Sequence, residues 1–207
     1  MSKKIHVEIG CAYWELSHVN DANTLCYLVE ALPDHCHKLE KQFGLNPSVI
    51  IENSAISDQT TERFFYKYSR DKAKSYGIDH AQWLEGTCGF DPMQENDPRV
   101  CGDKILKLNL QLYDKIKVKC LTWSDFLKKH NISHIDSLKV DTEGYDLEIL
   151  KQVDFISLGI RKLQFEYFLV KSRFPEDFKK QLLRLEELGF VVKHQDRQNI
   201  FLEKNDS

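Results

Sequence analysis

No apolar run in this sequence approaches the roughly 18–20 residues that a membrane-spanning helix needs. None opens the chain either: "MSKKIHVEIG" carries two lysines but no apolar segment ahead of its first strand-like residues, so no secretory leader is expected. There is no C-x-x-C pair. The six cysteines (Cys11, Cys26, Cys36, Cys88, Cys101 and Cys120) are scattered, as free thiols in a reducing compartment would be, and the expected location is the cytoplasm. An excess of positive charge is also missing: 29 Lys and Arg face 32 Asp and Glu, a net charge of −3. That balance gives no footprint for nucleic acid. Repeats, linkers and low-complexity segments are absent, so residues 1–207 read as one domain with room for a large core.

What is present alternates between two periods. "KIHVEIG" (4–10), "NTLCYLVEAL" (23–32) and "SVIIENSAIS" (48–57) are apolar runs of strand length, and "ERFFYKYS" (62–69) alternates as an antiparallel strand would. Pro33-Asp34 opens a helical stretch closed by Gly44. "DHCHKLE" sets His35, Cys36 and His37 side by side, but adjacent helical residues diverge and make a poor chelate. Residues 70 to 104 are polar, aperiodic and rich in Gly and Pro, a loop insertion of the length that functional loops have. Alternating Leu106, Leu108, Leu110 and Leu112, then Ile116, Val118 and Cys120, suggest two strands or a hairpin. "TWSDFLKKHNI" follows as a helix capped by Thr122 or Ser124. Then come a strand in "IDSLKVD", a helix in "GYDLEILKQV", a strand over 161–169, a helix from Pro175 to Gly189, and a closing antiparallel pair, "FVVKHQ" and "NIFLEK". The fold class is α/β, a mostly parallel sheet with helices on both faces and an antiparallel C-terminal pair.

In such sheets a ligand lies beyond the carboxyl ends of the strands, where strand order reverses. The residues at those ends are Glu8, Gly10 and Cys11 after the first strand, Glu30 after the second, Asn53, Ser54 and Ala55 after the third, an acidic run beginning at Asp141, and Glu166. The first turn, "EIGCAYWELS", is not G-x-G-x-x-G, so the pyrophosphate of a nicotinamide dinucleotide has no cradle. One Gly after an acid suits a nucleoside without a diphosphate, such as S-adenosylmethionine. Glu30 stands twenty residues past Gly10, the spacing of a carboxylate that grips ribose hydroxyls. The run "VDTEGYDLE" also has the look of a calcium loop, but its acids pass straight into a helix without the fixed ligand offsets.

"SLKVDTEGYDLEIL" resembles the L-K-[IV]-D-x-E-G-x-[DE]-x-x-[IV]-L signature of FkbM-type methyltransferases. "IENSAISD", "LTWSDFLKKHNISHID", "FEYF" and "LEELGF" resemble the segments around it, so the likeness runs from about residue 5 to 203. The resemblance implies a class I methyltransferase (Rossmann-like) fold, S-adenosylmethionine as methyl donor, and O-methylation of a hydroxyl on a sugar, glycan or small natural product. It implies that Glu8 and Gly10 form the first turn, that Glu30 grips the ribose, that Asn53 to Ala55 border the adenine, and that Asp141 lies near the methionine moiety. "EGTCGF" (85–90) looks like the small-residue stretch that family members carry before the hairpin. The family often has a second Gly where Trp14 stands, and "AYWELSHVNDAN" is a weak version of the helix expected there.

Asp141, Glu143 and Glu166 are the candidates for acid–base work, for orienting the acceptor, or for holding a divalent ion that no clear ligand motif supports. His80 in the long loop is a lesser candidate base, with Trp83 beside it as a sugar platform or loop anchor. Asp146 and Glu148 read as exposed charges that favour the helix N-terminus. Lys139 would snorkel from its strand or pair with an acid. The competing reading is a non-catalytic nucleoside-binding or scaffold module that kept the fold.

Overall fold

The computed structural model describes residues 3–13, 16–78, 85–91 and 109–205. Its main sheet has seven strands in the order β3-β2-β1-β7-β8-β10-β9. They are β1 (Lys4–Ile9), β2 (Thr24–Glu30), β3 (Val49–Asn53), β7 (Ser137–Val140), β8 (Lys162–Glu166), β9 (Phe190–Gln195) and β10 (Asn199–Lys204). β1, β2, β3, β7 and β8 run parallel, while β10 is antiparallel to both β8 and β9. The chain starts in the middle, steps outward to β2 and β3, and returns to the other flank of β1 with β7. That reversal opens the crevice beyond the ends of β1 and β7.

Side chains alternate across this sheet. Val7, Ile9, Tyr27, Val29, Leu138 and Val140 face one core. It is closed by α3 (Trp123–His130), α4 (Asp146–Gln152) and α6 (Pro175–Glu187), through Phe126, Ile149 and Leu185 among others. Leu28 and Ile51 point the other way, onto Leu39 and Phe43 of α1 (Pro33–Phe43). Helix ends follow their residues. α1 starts on Pro33, and the Gly44 N–H closes it on the Glu40 carbonyl. Thr122, not Ser124, caps α3, its Oγ1 accepting from Asp125 N at 3.1 Å.

Four expectations change. The run 48–57 is two strands, because beyond Ser54 the chain leaves the main sheet. Ala55–Ile56 (β4) pairs instead with Cys120–Leu121 in a second, three-stranded sheet of β4, β5 (Thr61–Tyr68) and β6 (Tyr113–Leu121). The leucine alternation ends in a 3₁₀ turn, Asn109–Leu112, and β6 pairs with β5 from Thr61↔Cys120 to Tyr68↔Tyr113. Leu106 and Leu108 lie outside the described residues, as do His80, Trp83, Cys101 and Trp14. The polar insertion is not wholly irregular, since Arg70–Ser75 is a helix, α2. Finally, β8 stops at Glu166. The Tyr167 and Phe168 N–H groups both donate to Gln198 O (2.9 and 3.3 Å), turning the chain into α5 (Phe168–Arg173).

No helix follows β1 among the described residues; residues 16–23 cross the sheet as turns and bends. They cover a polar layer. Glu8, fully buried, sits opposite Lys139 in the β1–β7 register and accepts from its Nζ at 2.7 Å, from Ser17 N at 3.0 Å and from the His6 ring at 3.4 Å. Lys139 thus pairs with Glu8 and not with the acidic run. Burial raises the Glu8 pKa, but His6 and Lys139 outweigh it and hold the carboxyl below its usual range. The Lys139 ammonium, which burial would discharge, is held above its usual value by Glu8. The five described cysteines are buried free thiols, and no helix among the described residues is long and apolar enough to cross a membrane.

Removing one member of such a pair strands the other in low dielectric. Lys139→Met should lower the unfolding free energy in urea by about 3–5 kcal/mol, whereas Lys139→Met with Glu8→Gln should recover more than half of that. A loss below about 1 kcal/mol for the single variant would place the pair in a wetter setting than its burial indicates.

Candidate functional site

The crevice at the strand reversal is a cleft with about 800 Å³ of empty space, mouth included, a volume suited to a nucleoside-sized ligand. Gly10 makes it. Its φ is +76°, and a Cβ there would fall on the carbonyl oxygen of Asp141. Only glycine lets the turn after β1 close on the end of β7. Ala12 is also left-handed, with φ 47°.

Glu30 ties this turn to β2. Its Oε2 accepts from Ala12 N at 2.8 Å and its Oε1 from Leu32 N at 2.8 Å. The carboxyl is 6% exposed, and burial outweighs those donors and pushes its pKa to about 7. His35, also on the cleft wall, lies 3.9 Å from Glu30 and is driven by burial to about 4, so it is neutral at neutral pH. Asn53 braces the same corner from outside, donating to the carbonyls of Glu30 and Ala31 at 3.0 and 3.1 Å.

The opposite wall is the acidic turn after β7. Asp141 N donates to Ile9 O at 2.9 Å, which sets the strand end against Gly10. Glu143 (φ 59°) and Gly144 (φ 100°) are both left-handed, and Glu143 lacks the glycine that this conformation favours. Such a residue costs on the order of 1 kcal/mol or more and persists where the surroundings impose it. Asp146 is what imposes it here. It is wholly buried rather than exposed, and its Oδ2 accepts from Thr142 Oγ1 at 3.1 Å and Gly144 N at 3.2 Å. Its Oδ1 has no hydrogen-bond partner among the described residues. Burial, then the charge of Asp141, raises its pKa to about 8, so it is mostly protonated at neutral pH. Glu148 is the helix charge expected, exposed and paired with Lys151 at 2.5 Å.

Gly10, Cys11, Glu30, Ser54, Ala55, Asp141 and Glu143 all line the cleft, as expected from the sequence. Glu8 does not, because it is committed to Lys139 behind the first turn. Asn53 does not, because it holds the β2 end. Glu166 is buried at the end of β8, outside the lining. Lys139, His35 and Tyr145 were not anticipated on the wall, nor was Phe65 from the second sheet. Glu85, Gly86, Cys88 and Phe90 reach it because Gly89 pairs with Tyr66 at the edge of β5, its N donating to Tyr66 O at 3.1 Å and its O accepting from Tyr66 N at 2.8 Å. The glycines of "EGTCGF" were the only signal for this strap in the sequence. No cluster of three His, Cys, Asp or Glu that could hold a metal occurs among the described residues.

The 3-2-1-7-8-10-9 order, with its antiparallel last pair and a cleft at the reversal, defines a class I methyltransferase fold. Residues 7–192 match the model of the methyltransferase FkbM domain, and the chain belongs to that family. Family membership implies S-adenosylmethionine as the group bound, and the cleft fits it: a glycine cradle for close approach and a buried carboxylate at the β2 end for a ribose. Comparison with curated proteins gives no match. Similar solved structures include the Methanococcus jannaschii fibrillarin pre-rRNA processing protein, 12% identical with a TM-score of 0.46, over 98% of this chain and 66% of that one. A fibrillarin/Nop5p complex is 14% identical (TM-score 0.46, 97% and 71% covered), and a human methyltransferase 10 domain containing protein is 12% identical (TM-score 0.44, 98% and 71% covered). The chain thus spans slightly less than two thirds of the first of these.

The Glu30 pKa sets a pH dependence. Raised to about 7, the carboxyl is protonated below that pH and charged above it. The charged form is the stronger acceptor for ribose hydroxyls. Affinity for S-adenosylhomocysteine should therefore fall as pH drops through 7, approaching tenfold per pH unit. Calorimetric titration from pH 6 to 8 reads the slope, which Glu30→Gln should flatten.

Proposed function

We propose that this protein transfers the methyl group of S-adenosylmethionine to a hydroxyl oxygen of a sugar, glycan or small natural product. The observation that carries this reading is the facing of Glu30 and Gly10 with Asp141 and Glu143 across one cleft, a nucleoside grip opposite carboxylates. Glu30 would hold the ribose hydroxyls, Ser54 and Ala55 would border the base, and Asp141 would face the ammonium of the methionine moiety. When bound, the donor supplies an electrophilic methyl group on a sulfonium.

The residues of this chain then have two tasks. They hold the acceptor oxygen in line with that methyl group, where most of the rate of such a reaction originates. They also take the hydroxyl proton, which the geometry assigns to the carboxylate of Asp141 or Glu143. Glu166 takes no part in this assignment, since it stays behind the lining. The strap at 85–91 and the insertion that contains it would close over the acceptor. The net charge of −3 favours a small acceptor over nucleic acid, and the buried thiols suit a reducing, cytoplasmic setting.

A screen of hydroxylated metabolites and glycans by mass spectrometry, reading a gain of one methylene that depends on the donor, tests the activity. Two variants then test the wall. Asp141→Asn deletes a charge on the cleft and should lower kcat/KM at least about tenfold, equivalent to ~1.4 kcal/mol of barrier. Asp146→Asn replaces a neutral acid by a neutral amide that can still accept from Thr142 and Gly144. It should stay within about threefold of wild type, under ~1 kcal/mol. If Asp146→Asn is the more damaging, the acid that works in the cleft has been misassigned.

A further inference from the structure

A second cleft, with about 710 Å³ of empty space, lies on the far side of the acidic turn. Phe90, Thr142, Glu143 and Tyr145 line both clefts, so this turn is a shared wall. Three aromatic rings face the second cleft: Phe90, Tyr145, and Phe174 at the joint between α5 and α6, which is 48% exposed. Four carboxylates line it as well: Asp91, Glu143, Glu148 and Asp177.

Among the described lining residues the only cation is Arg173, and it is committed to the turn. Gly144 leaves room for its guanidinium, since a Cβ there would sit 2.8 Å from Nη1, and that nitrogen reaches Glu143 O at 3.5 Å. The lysines paired with Glu148 and Asp177 (Lys151 and Lys180, at 2.5 and 3.7 Å) are not part of the lining, and those half-exposed pairs are screened by water. The rings here also accept cations: Arg63 already lies over Phe90 at 4.1 Å from its centroid.

We infer that the second cleft is the acceptor site and that it selects a polyhydroxylated molecule bearing a protonated amine, of the amino-sugar class. This rests on the methyl-transfer reading above and names the substrate class for it. Ring faces take the apolar face of a sugar, carboxylates take its hydroxyl protons, and an ammonium gains from both the carboxylates and the π-faces. A phosphorylated or carboxylated acceptor would meet like charge. The amine, being protonated, has no lone pair to receive a methyl group, which leaves a hydroxyl as the nucleophile that passes the shared wall.

The test uses the full chain and ligand-observed NMR titrations. S-adenosylhomocysteine is titrated first. With it saturating, D-glucosamine, N-acetyl-D-glucosamine and glucose 6-phosphate are compared at pH 6.5, where the amine is charged. Glucosamine should bind at least about fivefold more tightly than its N-acetyl form, and glucose 6-phosphate more weakly than either. The double variant Glu148→Gln with Asp177→Asn should bring the amine preference below about twofold, and Phe174→Ala should weaken both uncharged and charged sugars alike. Equal binding of the amine and its acetylated form, a preference for the phosphate, or no sugar binding at all would overturn the proposal while leaving the donor reading intact. Failure of S-adenosylhomocysteine itself to bind would overturn the methyl-transfer reading, and the acceptor assignment with it.

Discussion

Everything at the cleft depends on how closely the backbone of residue 10 approaches that of residue 141. β1 and β7 are neighbours in the sheet, and the chain leaves each of them on the same side. Without a side chain at position 10, the first turn folds against the Asp141 carbonyl and brings Ala12 within reach of Glu30. The two walls, one gripping and one acidic, are therefore held by a single contact between strand ends. A side chain at position 10 would force the walls apart, whatever the strength of the sheet beneath them.

Behind that contact, three buried acids are handled in three ways. Glu8 keeps its charge, because Lys139, His6 and a backbone donor surround it. Glu30 has two backbone donors and no cation in hydrogen-bonding contact, and titrates near neutrality. Asp146 has two donors on one oxygen and none on the other, and is mostly protonated near neutral pH. This graded series follows from the number of donors and the depth of burial. It places a fixed charge in the core, a switchable one at the ribose position and a neutral brace under the strained turn, so that Asp141 and Glu143 are the acids of the turn that face the cleft.

Much of this was legible in the sequence, for identifiable reasons. β1, β2 and β7 are apolar runs that end in punctuation, and the spacing from Gly10 to Glu30 spans one strand return, so the cleft's corners could be placed before any coordinates. The failures share a cause, which is that burial and pairing partner are not local properties. Asp146 has the position of an ordinary helix N-terminal charge and is buried only because Thr142 and Gly144 fold over it. Ala55 continues an apolar run but changes sheets because β6 is waiting for it. Glu166 and Asn53 stand at strand ends as expected, yet face away from the lining, since one residue of register moves a side chain to the other face. The second cleft had no signature at all, being assembled from residues 90 to 177 by the joint between two helices.

The central claim is that one glycine holds a methyl-donor cleft open at the reversal of the sheet. Its most direct test is the affinity of Gly10→Ala for S-adenosylhomocysteine, measured by calorimetry beside a circular dichroism spectrum. The account predicts a spectrum close to wild type, because the seven-stranded sheet and its helices do not need position 10 to be bare, together with an affinity lowered at least about a hundredfold, ~2.7 kcal/mol. A folded Gly10→Ala protein that binds S-adenosylhomocysteine as tightly as the wild type would contradict it.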